Sequence, residues 1–514
     1  MADIKARIGM AKGRTIEFQD LWNDRNATEL KMKLIKILES FSPYALCFGL
    51  LGILIISWRR KSAKKNLPPG PKSWPIIGCV PTLLYLAFVK KMDKNTMCKH
   101  LLDKYGDGDI VSVNICGQEI VILSKDDVIK EAYTNPSLSD RAIVETQSWI
   151  RYDTAKIHRK IIIGALKGNY GYKTERLEQV IQEECQLLSS EIKHLIGKDF
   201  DVSLLLRNAT ANIVLSFTTG KHFEWSNQKL HKLLDTILEL NAACVRSFAL
   251  SFFPIPINIL SPSNVRQKAT CTEYVLSFMG NLIAGHASKK DEITNLIDVY
   301  RNEMQLSFDS KHDGDLLRDG LVFITNAGTH TTANAISRII IHLAELPEIQ
   351  DRVHQEIIHI VGRDRLPCWS DRHQLHYTQA TIMELMRQTP NFVGAPHLAG
   401  DETTLRGYTI PRGAILVGCI GSVCDDPTTW PDPEVCKPER FLDEKGHFQE
   451  RIEFNPFGTG RRTCAGEGMA KMQVLLLMTT LLQRYEIRPP DVKGETVFDI
   501  ASYAAIIQAV PRKA

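Results

Sequence analysis

The sequence predicts a mainly α-helical protein with small β-sheets, preceded by one transmembrane helix. Three observations predict it. Apolar residues recur on helical spacing over long stretches, Leu177–Ile196 and Leu230–Ala249 among them. Strand alternation marks a β-hairpin over Ile110–Leu123 (IVSVNICGQEIVIL), turning near Gly117. One segment, Phe41–Trp58 (FSPYALCFGLLGILIISW), runs without a charge.

That segment would be roughly 27 Å long as a helix, close to the hydrocarbon thickness of a bilayer. A buried core helix is the alternative. The block RRKSAKK that follows, Arg59–Lys65, is of the kind that stops transfer and stays cytoplasmic. LPPGPKSWPIIG then reads as a stiff proline-rich linker. The chain divides on this reading into an extension (1–40), a membrane anchor (41–58), a basic and proline-rich linker (59–78) and a catalytic domain (79–514). Four Lys/Arg lie before the anchor, from Arg25 to Lys36, and six after it, from Arg59 to Lys72. That bias places the domain in the cytosol, on a single-pass endoplasmic reticulum anchor. The apolar run lies too far in for a signal peptide. The opening MADIKARIGMAKGR is basic enough to make a mitochondrial membrane the alternative, although the first forty residues carry six acids and presequences are acid-poor.

With 514 residues there is room for a large core. Sixty-three Lys+Arg against 59 Asp+Glu give no field suited to nucleic acid. The twelve cysteines are scattered, without CxxC or zinc-type spacing, so a metal cage is not expected. Free thiols in a reducing compartment, mostly acting as small buried hydrophobes, are the economical reading.

Leu250–Val265 is apolar but broken by prolines, and cannot be one regular helix. Leu316–Glu345 reads as one long helix ended by Pro347. Gly328 in its middle costs about 1 kcal/mol relative to Ala, which asks for a compensation. Close approach of backbone to a ligand is one, and threonines bonding back to the preceding turn would open the helix locally. Ala380–Pro390 is a short helix, apolar nearly all round, with Glu384 and Arg387 on one face. A buried pair needs further partners, and Pro438-Glu439-Arg440-Phe441 supplies another arginine.

The densest signal is FNPFGTGRRTCAGEGMA, Phe454–Ala470. Cys464 lies just before an apolar helix, where free N–H groups and the helix dipole favour thiolate. Arg461 and Arg462 add positive charge, while Gly458, Gly460 and Gly466 let the backbone curl around the sulfur and admit a flat partner. The local sequence offers no base, which argues against a nucleophile. A single cysteine with no neighbouring ligands suits a metal that brings its own coordination, as haem does.

Phe457, Gly460, Arg462, Cys464 and Gly466 match the FxxGxRxCxG haem signature, and the chain thereby resembles the cytochrome P-450 superfamily. AGxxTT, ExxR and PERF blocks stand in the family's order, and the linker is similar to that of microsomal members. GYTIPRGAILVG and KPERFLDEKGHF look like the animal microsomal group of drug-metabolising enzymes and steroid hydroxylases.

The resemblance implies the cytochrome P-450 fold, with haem b between the long oxygen-activating helix and the cysteine loop. It implies Cys464 as axial iron ligand, Arg462, Arg159 and His397 on the propionates, and Glu384, Arg387 and Arg440 as a structural triad. Thr331 would organise the proton path that dioxygen reduction needs. Three positions depart from the pattern. His330 stands where an acid precedes the threonine, Ala155 where a propionate-binding tryptophan is usual, and Cys436 where a phenylalanine precedes PERF. His330 is then a second catalytic candidate, since neutral imidazole can both donate and accept a proton.

The implied activity is insertion of one oxygen atom from O2 into a lipophilic steroid, fatty acid or xenobiotic. NADPH would supply electrons through a flavoprotein reductase, with cytochrome b5 as a further donor. Arg151–Lys160 (RYDTAKIHRK) is a cationic run suited to docking an acidic reductase. Phe323, Asn326, Ala327, Val393 and Gly394 are candidate pocket residues. A peroxide isomerase of the same fold and a non-enzymatic haem binder are the alternatives, and a requirement for reductase and NADPH separates them.

Overall fold

The computed structural model describes residues 66–512, except 93, 142–151, 171–172, 253–256, 287–291, 305–310, 390–395, 492–497 and 500–503. The anchor Phe41–Trp58 lies outside the described residues, and among these no helix is long and apolar enough to cross a membrane. Ser73–Gly78 belongs to a separate unit and is closed on itself by paired backbone hydrogen bonds between Trp74 and Gly78. The remainder, from Cys79 on with Leu67–Lys72, is described next.

Besides the short helices Val80–Leu84 and Ile257–Leu260, its helices are, in chain order, α1 (Lys94–Tyr105), α2 (Asp126–Thr134), α3 (Tyr152–Leu166), α4 (Thr174–Lys193), α5 (Val202–Thr219), α6 (Gln228–Leu250) and α7 (Pro262–Ala284). Then come α8 (Leu296–Met304), α9 (Lys311–Ala344), α10 (Pro347–Ile360), α11 (His376–Gln388), α12 (Ile420–Cys424) and α13 (Glu467–Arg484). Local chemistry sets several of their ends. Asp201 caps α5 through Ser203 N–H at 2.9 Å, and Gly220 closes it in the left-handed region. Asn227 caps α6 through the N–H groups of Lys229 and Leu230. Pro262 opens α7 at a position where its missing N–H costs nothing.

The main core gathers apolar residues of α4, α5, α6, α7, α9, α10 and α13. Helix α13 is buried on every side from Met472 to Gln483, which explains a sequence apolar all round. Helix α9 packs along α5. A Cβ at Gly328 would stand 3.0 Å from Val214 Cγ2 of α5, so this glycine serves helix–helix approach, not approach to a ligand. The Thr210 hydroxyl adds a hydrogen bond to the Thr329 carbonyl across the same seam, at 3.1 Å.

The hairpin expected over Ile110–Leu123 forms as β1 (Ile110–Ile115) and β2 (Gln118–Leu123), with Cys116 and Gly117 both at positive φ in the turn. Beside it run β3 (Asp140–Arg141) and β4 (His397–Leu398), and β5 (Ile415–Gly418) lies parallel to β2, in the order β1-β2-β5-β4-β3. A second sheet gathers the chain end, Ala504–Pro511, with Phe200–Asp201, Tyr485–Arg488 and Phe498–Asp499. All cysteines among the described residues are free. Burial pushes the Cys436 thiol up to about 12, and Cys436 packs against the main core as a small hydrophobe.

The pair expected on α11 is fully buried and gains the partners it needs. Glu384 takes Arg387 Nε and Nη2 at 2.9 Å each, Arg440 Nε at 3.2 Å and the Lys437 N–H at 3.0 Å. Arg387 also donates to the carbonyls of Cys424 and Pro433, both at 2.7 Å. Arg387→Met would strand the Glu384 carboxylate, so the fold should lose about 3–5 kcal/mol. Replacing Glu384 by Gln in the same chain should recover part of that. Denaturant titration of both variants checks it, and an Arg387→Met loss under 1 kcal/mol would contradict the buried-charge account.

Candidate active site

Cys464 sits between the turn Gly460–Arg462 and the start of α13, and its N–H donates to the Phe457 carbonyl at 2.8 Å. Asn455 shapes the approach. Its Oδ1 accepts from Phe457 N–H at 3.0 Å, and its Nδ2 donates to the Gly458 carbonyl. Gly458 and Gly460 hold φ of +77° and +74°. A Cβ on Gly460 would stand 2.3 Å from the Tyr133 carbonyl, so glycine is doubly required there. Gly466 is different: its φ of −95° is open to any residue, and it faces open space. The backbone curl rests on the first two glycines alone.

The Cys464 side chain is exposed, yet burial raises its thiol above the ordinary value, against the pull of the Gly466 N–H and Arg159. A sulfur can be both only where it lines a recess inside the protein. The expected bias toward thiolate is therefore not met by the polypeptide alone. A cation on the sulfur would release the proton and stabilise the thiolate.

Two guanidinium groups flank this recess. Arg462 Nε donates to the Ser139 carbonyl at 2.9 Å, and Arg159 Nη2 donates to the Thr463 carbonyl. Burial lowers the Arg159 pKa, and the neighbouring Arg462 lowers it further. Among the described residues neither arginine has a carboxylate within ion-pair distance. His397 is buried on β4, stacked on Tyr133 at 3.8 Å and 17°, with Nδ1 on the Leu138 carbonyl at 3.1 Å.

On α9, Ala327 and Thr331 are exposed one turn apart in the middle of an otherwise packed helix. Thr331 Oγ1 donates back to the Ala327 carbonyl at 2.7 Å, as paired threonines allow. Phe323 and Asn326 are half-buried on the preceding turn, while Val393 and Gly394 lie outside the described residues. His330 turns elsewhere, toward Arg207 of α5 and the backbone of Leu234 on α6. Burial first, and Arg207 second, lower its pKa to about 4, and its Nε2 is buried without a partner. An imidazole so placed is neutral near pH 7 and does not titrate there. Of the expected docking run Arg151–Lys160, Arg151 lies outside the described residues, and the described end is no uniformly solvated face. His158 is buried and bonded through Nδ1 to the Tyr300 hydroxyl at 2.7 Å, and Arg159 points to the cysteine loop.

Sequence reasoning missed the residues that carry this loop from below. Tyr133 stacks on His397 and receives the Gly418 N–H on its hydroxyl at 2.9 Å, while Ser139 receives Arg462. The turn between them, Asn135-Pro136-Ser137, is capped by Asn135 Oδ1 on the Ser137 N–H at 2.9 Å. Its Asn-Pro-Ser composition was the available signal.

These residues fit a flat, iron-bearing dianion. One sulfur opens onto a recess, two cations have no carboxylate within ion-pair distance among the described residues, and open space lies beside Gly466. Fold and site together define a haem-thiolate enzyme. The chain belongs to the cytochrome P450 family, whose match spans residues 68–509. It is similar to cytochrome P450 2H1 of Gallus gallus, 30% identical over 477 residues that cover 90% of this chain and 95% of the relative. Human cytochrome P450 2U1 is 29% identical over 501 residues, covering 89% and 90%, and human cytochrome P450 2J2 is 30% identical over 491, covering 87% and 91%. The chain is thus a cytochrome P450 monooxygenase, a family that carries haem on a cysteine thiolate.

The buried histidines give a pH dependence whose sign is fixed. His158 and His330 both have folded values near 4 against an ordinary 6.5. The unfolded chain binds protons that the fold refuses, so their contribution is intact above pH 6.5 and is lost as pH falls toward 4. At pH 5.5 each should cost about 1.4 kcal/mol relative to pH 7.5. His330→Asn should remove its share of that difference in denaturant titrations at the two pH values. An unchanged difference would place His330 in solvent.

Proposed function

We propose that Cys464 is the iron ligand and that the chain oxygenates a lipophilic steroid, fatty acid or xenobiotic. NADPH supplies the electrons through a flavoprotein reductase, with cytochrome b5 as a second donor. The observation that carries this reading is the open sulfur of Cys464 beside two arginines that have no carboxylate partner among the described residues. Bound haem supplies reductive activation of dioxygen, with electron density pushed from the thiolate. Arg159 and Arg462 would neutralise its propionates, and His397 would add a third polar group. Phe457, Gly460 and Gly466 shape the bed, Gly460 through the turn and Gly466 through the space it leaves.

Ala327 and Thr331, exposed one turn apart on α9, would stand on the oxygen side of the bound haem. Thr331 holds its proton on Oγ1 against the Ala327 carbonyl, and rotation about χ1 would free it for transfer. Removing that hydroxyl leaves the proton to loose water. His330 stays a candidate for the relay only if its ring turns from Arg207 and Leu234 toward Thr331, and its buried, unpartnered Nε2 argues against that. The membrane reading rests on Phe41–Trp58 and its basic flank. Leu84, Tyr85, Phe88 and Val89, exposed just after the linker, with Phe88 76% exposed, suit contact with the lipid surface of the endoplasmic reticulum.

Cys464→Ser should abolish the strongly red-shifted Soret band of the reduced carbon monoxide complex, and Cys436→Ser should keep it. Retention of that band by Cys464→Ser would sink the ligand assignment. Thr331→Ala should keep the band and the rate of NADPH oxidation within about threefold, but lower product formed per NADPH by a factor of three or more, with peroxide making up the difference. Equal coupling in both proteins would leave Thr331 without a role in proton delivery. Oxygenation supported by peroxide but indifferent to reductase and NADPH would favour the isomerase reading instead.

A further inference from the structure

One lysine ties both ends of the cysteine loop to the helix that follows it. Lys471 stands one turn into α13, half-buried, four residues beyond Glu467. Its Nζ lies 2.9 Å from Glu467 Oε1 and 2.7 Å from Glu450 Oε1. The same ammonium lies over the Phe457 ring, 5.6 Å from its centroid. With three N–H donors, an ammonium can hold all three contacts at once. Glu450 precedes the loop, Phe457 stands at its entry and Glu467 follows it. Phe457 is itself joined to the ligand candidate, since its carbonyl receives the Cys464 N–H at 2.8 Å.

We propose that Lys471 is a positioning residue for Cys464, clamping the loop through Phe457 and Glu467 and setting the reduction potential of the haem-loaded protein by balancing the Glu467 carboxylate.

The proposal rests on Cys464 being the iron ligand. Glu467 occupies the first turn of α13, where the helix dipole favours a carboxylate. Besides burial, its charge is what opposes a charge on the Cys464 sulfur. Lys471 supplies the balance from the next turn, with Glu before Lys at i, i+4, the favourable order on a helix. Against burial, Glu450 and Glu467 raise the Lys471 pKa, so the ammonium is charged near neutrality.

Removing that ammonium would leave a carboxylate unbalanced three residues from the sulfur. An added electron would then be disfavoured, and a proton on the sulfur favoured, because charge close to a metal ligand tunes both. Lys471 and Glu467 are 32% and 35% exposed in their side chains, so salt should screen the effect. A lysine that only held the fold would move stability and haem content, and its effect on potential would not depend on Glu467.

Wild type, Lys471→Met, Lys471→Arg, Glu467→Gln and the Lys471→Met/Glu467→Gln double variant should be loaded with haem and titrated spectroscopically with a chemical reductant. No protein donor is added, so docking cannot enter the result. Lys471→Met should lower the equilibrium constant for reduction about threefold, or about 28 mV at 59 mV per tenfold for one electron. Lys471→Arg should stay within about 1.5-fold of wild type, and the double variant should recover most of the loss. In 1 M salt, where the Debye length is about 3 Å, the Lys471→Met shift should shrink by half or more. Its carbon monoxide complex should also lose the red-shifted Soret band about threefold faster in mild denaturant.

A Lys471→Met constant within about 1.5-fold of wild type overturns the proposal, as does a double variant that keeps the full loss. Should Lys471→Met fail to hold haem, Glu467→Gln alone decides. It should raise the constant about twofold, and no change would overturn the proposal. A wild-type complex without the red-shifted band would overturn the ligand assignment and this proposal with it, whereas the band with an unmoved potential overturns this proposal alone.

Discussion

The carboxylate of Glu384 is the constraint on which the chain's last third hangs. It is fully buried, so each of its oxygens must be satisfied or the desolvation cost stands uncovered. Two arginines and a backbone N–H meet that demand, and none of them is local except Arg387. To bring Arg440 and Lys437 within reach, the segment after α12 must fold back over α11. Arg387 fixes the same path from below by holding the carbonyls of Cys424 and Pro433. The aromatic cluster of Trp430, Phe441 and Phe454 then fills in behind, with ring centroids 5.7 to 6.5 Å apart. Phe454 begins the cysteine loop. One buried charge thus sets where Cys464 can lie.

The loop that results is electrostatically incomplete. A sulfur whose surroundings favour the thiol stands beside Arg159 and Arg462, which repel each other. A metal cation with its own anionic arms answers both deficits at once, the cation taking the thiolate and the arms taking the guanidinium groups. Binding energy is therefore stored as unmet charge, not as an empty apolar slot. The same logic explains why the arginines are held by backbone carbonyls, Arg462 by that of Ser139 and Arg159 by that of Thr463. Neutral acceptors fix them without spending their charge.

What the sequence made legible was local. The positions around Cys464, the i, i+3 pair on α11, the hairpin at Gly117 and the long helix before Pro347 all follow from spacing within one element. What it hid depends on partners far along the chain. Gly328 answers to Val214, not to a ligand, and nothing near Gly328 says so. The surroundings of His330 depend on which way α9 is rolled, and Arg207 and Leu234 come to it from two other helices. Ser139 and Tyr133 touch the loop across more than three hundred residues of chain. Gly466 shows the converse error: a glycine inside a strong motif invites a backbone explanation, and its φ gives none.

Helix α3 shows how such a distant constraint reaches the site. His158 and Arg159 are neighbours on it, so the direction of one fixes the direction of the other. His158 turns inward, where its Nδ1 meets the Tyr300 hydroxyl of α8, both rings deeply buried. A Cβ at Gly320 of α9 would stand 2.3 Å from that hydroxyl and 2.8 Å from Nδ1, so three helices close on a single hydrogen bond only because position 320 is glycine. Both groups are neutral, His158 by its lowered pKa and Tyr300 because burial raises its own, so the contact carries no desolvated charge. With His158 anchored inward, Arg159 is left to point at the Thr463 carbonyl, one residue from the sulfur. The cation beside Cys464 is therefore aimed by a neutral contact on the adjacent face of its helix.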